Sequence, residues 1–170
     1  MRHHPVIPLL GTGLLIATLS AGSCGRDELA DVSLLEALRR DADYSTFVSA
    51  IETVDLQMTL TDEGPFTIIG PTNASFDAMD PDDRAAIFAD EDLLSEVVLF
   101  HVGLFFFDTA ALGRVAEIQT AQGANLRVST ANGVRINGVL LEETDLVVDN
   151  GVIHKIPQVL IPATVSVQLP

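Results

Sequence analysis

His101 and His154 are the only imidazoles beyond the first few residues of the chain. Imidazole is the side chain best suited to proton transfer or metal ligation near neutral pH. As metal ligands the two need at least one more donor, and no Cys, His or Glu stands at a helpful spacing. As bases they need a nucleophile, but the sequence has no G-x-S-x-G element and its single cysteine, Cys24, sits at a leader junction. No Gly-rich phosphate loop of either common spacing occurs. Two acid clusters remain, Asp80-Pro81-Asp82-Asp83 and Asp90-Glu91-Asp92. Neither has the spacing and central glycine of a calcium loop, and both fit helix starts, where the dipole favours negative charge. The residues therefore offer no catalytic, cofactor-binding or metal-binding set, and the chain reads as a non-enzyme. His154 lies in an apolar strand and reads as a hydrogen-bonded core histidine. His101 follows Phe100 at a helix-to-strand junction and is expected to be partly exposed.

The elements that must position these residues divide the chain in two. Leu34, Leu35 and Leu38 share one helical face, with Ser33 or Asp31 as cap; Phe47, Val48, Ile51 and Val54 form a second buried stripe. Residues 66–69 are β-branched or aromatic, as a packed strand prefers, and Gly70-Pro71 stops them. Thr72 or Asn73 can then cap a helix whose buried side begins at Phe76 and Met79. Short helices follow over residues 84–89 and 93–99. The apolar run 100–107 reads as strand, and Asp108 as the cap of a helical turn over 109–112. From residue 117 the period is near two, predicting strands over 118–121, 126–129, 134–136, 139–142, 146–148 and 152–156. Asn132-Gly133, Asn137-Gly138 and Asn150-Gly151 stand between them as signals for tight antiparallel turns. Helices first and strands afterwards indicate an α+β fold.

The flanks and the charge speak to location. Residues 1–23 have a polar start, an apolar run over 6–19 too short and broken for a membrane span, and small residues before Cys24. This is a signal-peptide pattern, followed by a tether over 24–31, a domain over 32–162 and a tail over 163–170. Ala21-Gly22-Ser23-Cys24 resembles a bacterial lipobox, which makes Cys24 the lipid attachment site; cleavage by an ordinary signal peptidase is the alternative. A lone Cys forms no internal disulfide. Past the leader, eight cations face 24 acids, leaving about −16. Such a field repels nucleic acid and anionic headgroups. Lys155 is the only lysine, a pattern that suits a salt-rich habitat or a compositional bias equally.

Two stretches carry a resemblance. Phe66-Thr67-Ile68-Ile69-Gly70-Pro71-Thr72-Asn73-Ala74-Ser75-Phe76 resembles the first signature of fasciclin-type (FAS1) domains, and Asn150-Gly151-Val152-Ile153-His154-Lys155-Ile156-Pro157-Gln158-Val159-Leu160 resembles the second. Phe100-His101 stands where the family commonly has Tyr-His. Pro157 replaces the second signature's usual Asp, removing a carboxylate and a backbone donor, and Phe100 lacks the tyrosine hydroxyl. The resemblance spans residues 32–162 and implies a wedge of two packed β-sheets flanked by short helices. Thr72, Asn73, Asn150, Gly151 and His154 are its structural signature positions. It also implies an exported adhesion or binding module whose partner is an extracellular or cell-surface protein or polysaccharide. On that reading membrane contact is made only through a lipid at Cys24. The run 100–107 is more apolar than one sheet face needs, so Phe100, His101, Phe105 and Phe106 are the expected partner-binding residues, the alternative being a strand covered on both faces by helices whose run is simply core. A small-ligand carrier or enzyme using the wedge interior, and a purely structural envelope protein, are the rival readings.

Overall fold

A computed structural model describes residues 31–166. The expected leader and Cys24 lie outside the described residues. Three helices, α1 (Leu34–Arg40), α2 (Ser45–Thr53) and α3 (Thr59–Asp62), precede strand β1 (Phe66–Pro71). Then come α4 (Asn73–Asp77), α5 (Pro81–Ala89), α6 (Glu91–Phe100), β2 (Val102–Leu104) and α7 (Thr109–Leu112). The second half is strand: β3 (Glu117–Gln119), β4 (Asn125–Ser129), β5 (Arg135–Ile136), β6 (Val139–Leu140), β7 (Glu143–Val148) and β8 (Gly151–Ile156). A last turn, α8 (Ala163–Ser166), buries Val165. The strands form two sheets, ordered β2-β1-β8-β7 and β3-β4-β5-β6, so the fold is α+β with two sheets and short helices.

The two signature stretches lie side by side. β1 and β8 pair in parallel, from Phe66 opposite Gly151 to Pro71 opposite Ile156. Both strands are apolar for most of their length, as strands covered on both faces require, with Thr67, His154 and Lys155 the exceptions. Ile68 and Ile153 face a core built by helices α1, α2 and α6 through Leu34, Leu38, Phe47, Ile51, Val97 and Val98. On the opposite face Ile69 and Ile156 meet Ile118, Leu126 and Ile136 of the second sheet. Asp80 and Asp90 accept from the first-turn amides of α5 and α6, so the acid clusters serve as helix starts.

Thr72 caps α4 in a reciprocal box: its hydroxyl accepts from Ser75 N, and Ser75 Oγ accepts from Thr72 N at 3.0 Å. Ser75 Oγ also donates to Ile156 O at 2.9 Å, fastening the corner to β8. Asn73, the expected alternative cap, does a different job. Its Oδ1 accepts from Thr46 N at 2.9 Å, and its Nδ2 donates to Ala42 O and Ser45 Oγ, so it caps the neighbouring α2.

Asn150-Gly151 departs from the expected turn pair. The β7–β8 turn is Asp149-Asn150, since Val148 already pairs with Gly151 inside the ladder. Gly151 is required by closeness: a Cβ there would stand 2.2 Å from Phe66 O and 2.8 Å from Leu34 Cδ1. Asn150 is a junction. Its Oδ1 accepts from Leu34 N at 2.8 Å, its Nδ2 donates to Leu60 O at 3.0 Å and Glu63 O at 2.8 Å, and its carbonyl accepts from Phe66 N at 3.1 Å. One side chain thus completes the start of α1 and the end of α3. Asn137-Gly138 behaves as expected, with both residues left-handed (φ 49° and 87°) in the β5–β6 turn.

Candidate functional site

The apolar run 100–107 does not form one strand. Phe100 ends α6, His101 caps it, and β2 occupies only Val102–Leu104. Phe105 then turns left-handed at φ 73° and leaves the ladder. This corrects the expected partner surface. Phe100 and His101 are 5% and 0% exposed and belong to the interior, whereas Phe105 and Phe106 are 67% and 39% exposed. Phe107 turns back and packs on the core between the sheets.

Residues 105–109 cross the first sheet strand by strand, and one side chain on each strand holds them. On β1, Thr67 Oγ1 donates to Phe105 O at 2.8 Å and accepts from Phe107 N at 2.9 Å. On β8, His154 Nε2 donates to Phe107 O at 2.8 Å. On β7, Asp145 accepts from Thr109 N at 2.7 Å and from the Thr109 hydroxyl. Asp145 sits at φ 63° inside the register shift between Glu143 and Leu146, so a bulge points its backbone N–H at His154 Nδ1, 3.2 Å away. Asp108 completes the set by capping α7 through Ala111 N at 2.7 Å. Two large apolar side chains are therefore presented outward on a backbone whose polar groups are fixed to the sheet.

Both ring nitrogens of His154 are engaged: Nδ1 accepts and Nε2–H donates. Burial pushes its pKa below the usual 6.5, with the Phe107 carbonyl and the Asp145 and Asp108 carboxylates partly opposing that. His101 is equally committed, with the opposite tautomer. Its Nδ1–H donates to Val97 O at 2.8 Å and its Nε2 accepts from Leu160 N at 3.0 Å, while its ring stands edge-on to Phe47. Burial pushes its pKa down to about 4. Neither histidine lines the cleft of about 410 Å³ between Met79, Asp83, Pro157 and Val159. No group of three or more His, Cys, Asp or Glu among the described residues could hold a metal ion. On the far face of β8, Lys155 Nζ donates to Asp43 at 2.8 Å and Glu143 at 3.3 Å, contacts that hold its amine protonated.

Sequence reasoning missed Thr67 and Asp145. The available signals were a threonine in an otherwise apolar strand and an aspartate inside a strand pattern.

Comparison with known proteins agrees with this architecture. The family described as Fasciclin domain matches residues 42–162. Periostin of Homo sapiens is 32% identical over 141 residues, covering 81% of this chain and 17% of periostin. Transforming growth factor-beta-induced protein ig-h3 of Sus scrofa is 31% identical over 131 residues, covering 76% of this chain and 19% of that protein. Protein sll1483 of Synechocystis is 32% identical over 136 residues and is covered to 74% of its length, against 77% of this chain. The chain thus spans less than a fifth of periostin and ig-h3. Among solved structures, a FAS1 domain pair from the insect cell adhesion molecule Fasciclin I superposes with a TM-score of 0.66 at 16% identity, covering 78% of this chain and 52% of that one.

Proposed function

This chain belongs to the fasciclin domain family, and from that premise we propose that it is an exported binding module acting in adhesion at the cell surface. The exposed pair Phe105 and Phe106 meets a cell-surface protein partner, and a lipid at Cys24 holds the chain at the envelope. The observation that carries this reading is the pair itself: two phenylalanines turned outward, one at a left-handed φ, on a loop tied to three strands. Aromatic side chains of this kind are enriched in the cores of protein–protein interfaces. The solved FAS1 pair is described as coming from a cell adhesion molecule, which supports the same class of activity here. The small-ligand or enzyme reading has less support, because both histidines are occupied by backbone groups rather than converging on a cavity.

The test uses cells that display the full chain. The wild type is expected in the membrane fraction and should capture partner cells. The double change Phe105→Ser, Phe106→Ser should abolish capture while leaving the circular dichroism spectrum and melting temperature nearly unchanged. Undiminished capture by the double variant would remove the loop from the proposal. Recovery of the chain only from the soluble fraction would remove the anchor.

A further inference from the structure

His154 is more than a filler of the interior, because its two hydrogen bonds can both exist only while the ring is neutral. Nδ1 must carry a lone pair toward Asp145 N–H, and Nε2–H must point at Phe107 O. A second proton, placed on Nδ1, would set two donors 3.2 Å apart with no acceptor between them. The charged groups facing the ring are Asp145 from β7 and Asp108 from the loop. Lys155 and Glu143 pair with each other on the opposite face of the sheet, because neighbouring residues of a strand point to opposite sides. β1 presents Thr67 and Ile69, and α7 presents Thr109, none of them charged.

We propose that protonation of His154 releases the loop carrying Phe105 and Phe106, so that partner capture by this module is switched off in acid. The geometry supplies the route. The Asp145 carboxylate, which in the neutral state accepts twice from Thr109, is a negative charge that already acts on the ring and can accept from a new Nδ1–H. Turning to it, Asp145 leaves the Thr109 amide and hydroxyl without their partner. The amide of Asp145 is pushed out of the bulge, and the loop loses its attachment to β7 at the point where α7 begins. Thr67 still holds residues 105 and 107 and the protonated ring still donates from Nε2 to Phe107 O, so the loop, freed at its Thr109 end, swings about these bonds rather than unfolding. This inference rests on the reading that Phe105 and Phe106 form the contact surface, and it adds the control of that surface.

The chain contains no tryptophan, so Phe106→Trp in the full chain reports the loop alone. Lowering the pH from 7 should shift its emission to the red before the far-ultraviolet circular dichroism changes. His154→Gln, which keeps an acceptor and a donor but cannot titrate, should remove that early shift. Should His154→Gln fail to fold, nuclear magnetic resonance of the wild type decides: the His154 ring and the Phe107 amide should titrate with one midpoint. An emission change coincident with global unfolding, persistence of the shift in His154→Gln, or separate midpoints would overturn the proposal. Capture by the wild type should fall in step with the emission shift. Absence of capture at every pH, with the loop transition intact, overturns the contact surface and with it the gating of capture.

Discussion

His101 and His154 are both fully buried, both satisfied at two ring nitrogens, and each is placed by one of the features that mark the family. Their surroundings separate them. His101 joins the last turn of α6 to residue 160, between the helical core and the inter-sheet core, and no carboxylate stands against it. His154 joins a bulged edge strand to a surface loop, with Asp145 and Asp108 close by. The same side chain, equally hidden, is a brace of the interior in one place and a latch of the surface in the other. Burial alone does not reveal which; what the hydrogen-bond partners are themselves attached to does.

The sharpest way to break the comparison is to remove the brace. His101→Ala leaves a cavity beneath Phe47 and orphans Leu160 N–H, and losses of this kind cost about 3–5 kcal/mol. Chemical denaturation should show a drop of that size, and a drop below about 1 kcal/mol would refute the interior role.

Acid should distinguish the two sites next. The folded His101 pKa of about 4 lies below its unfolded value of about 6.5, so below pH 6.5 the unfolded chain binds a proton that the native chain refuses. Stability is therefore full above pH 6.5 and declines as pH falls toward 4, by about 3 kcal/mol from this residue. Denaturation midpoints measured across that range should fall steadily, and a profile flat to pH 4 would contradict it.

The smallest expected effect lies at the loop. Thr67→Val keeps the shape of a fully buried side chain but deletes the bonds to Phe105 O and Phe107 N, a change of about 1–2 kcal/mol. Amide exchange at Phe107 should quicken far more than exchange in β1. Equal acceleration in both would mean that the loop and sheet open as one unit, and the contrast between brace and latch would fail.

The helices and most strands were readable because each depends on neighbours in sequence. Ser33, Asp80, Asp90 and Asp108 cap the helices that follow them, and the six late strands appear close to where alternation placed them. The errors cluster where an adjacent pair of residues serves distant elements. Asn73 looks like a cap for its own helix but turns to α2, because Thr72 and Ser75 already complete α4. Asn150-Gly151 looks like a hairpin turn, but the glycine is there because Phe66 and Leu34 press against it. The apolar run 100–107 hides a helix end, a three-residue strand and an exposed loop, since hydrophobicity does not say which face of which element it covers.

The sequence by itself determined the α+β order of elements and the two stretches that pair as β1 and β8. These follow from local propensity, capping and hydrophobic period, which act over a few residues. Only the tertiary structure decided that Phe100 and His101 face inward and Phe105 and Phe106 outward. It alone set the tautomer of each histidine and brought Thr67, His154 and Asp145 beneath one loop. Those outcomes depend on contacts between residues tens of positions apart, and such contacts exist only once parallel pairing of β1 with β8 has set the register of the sheet.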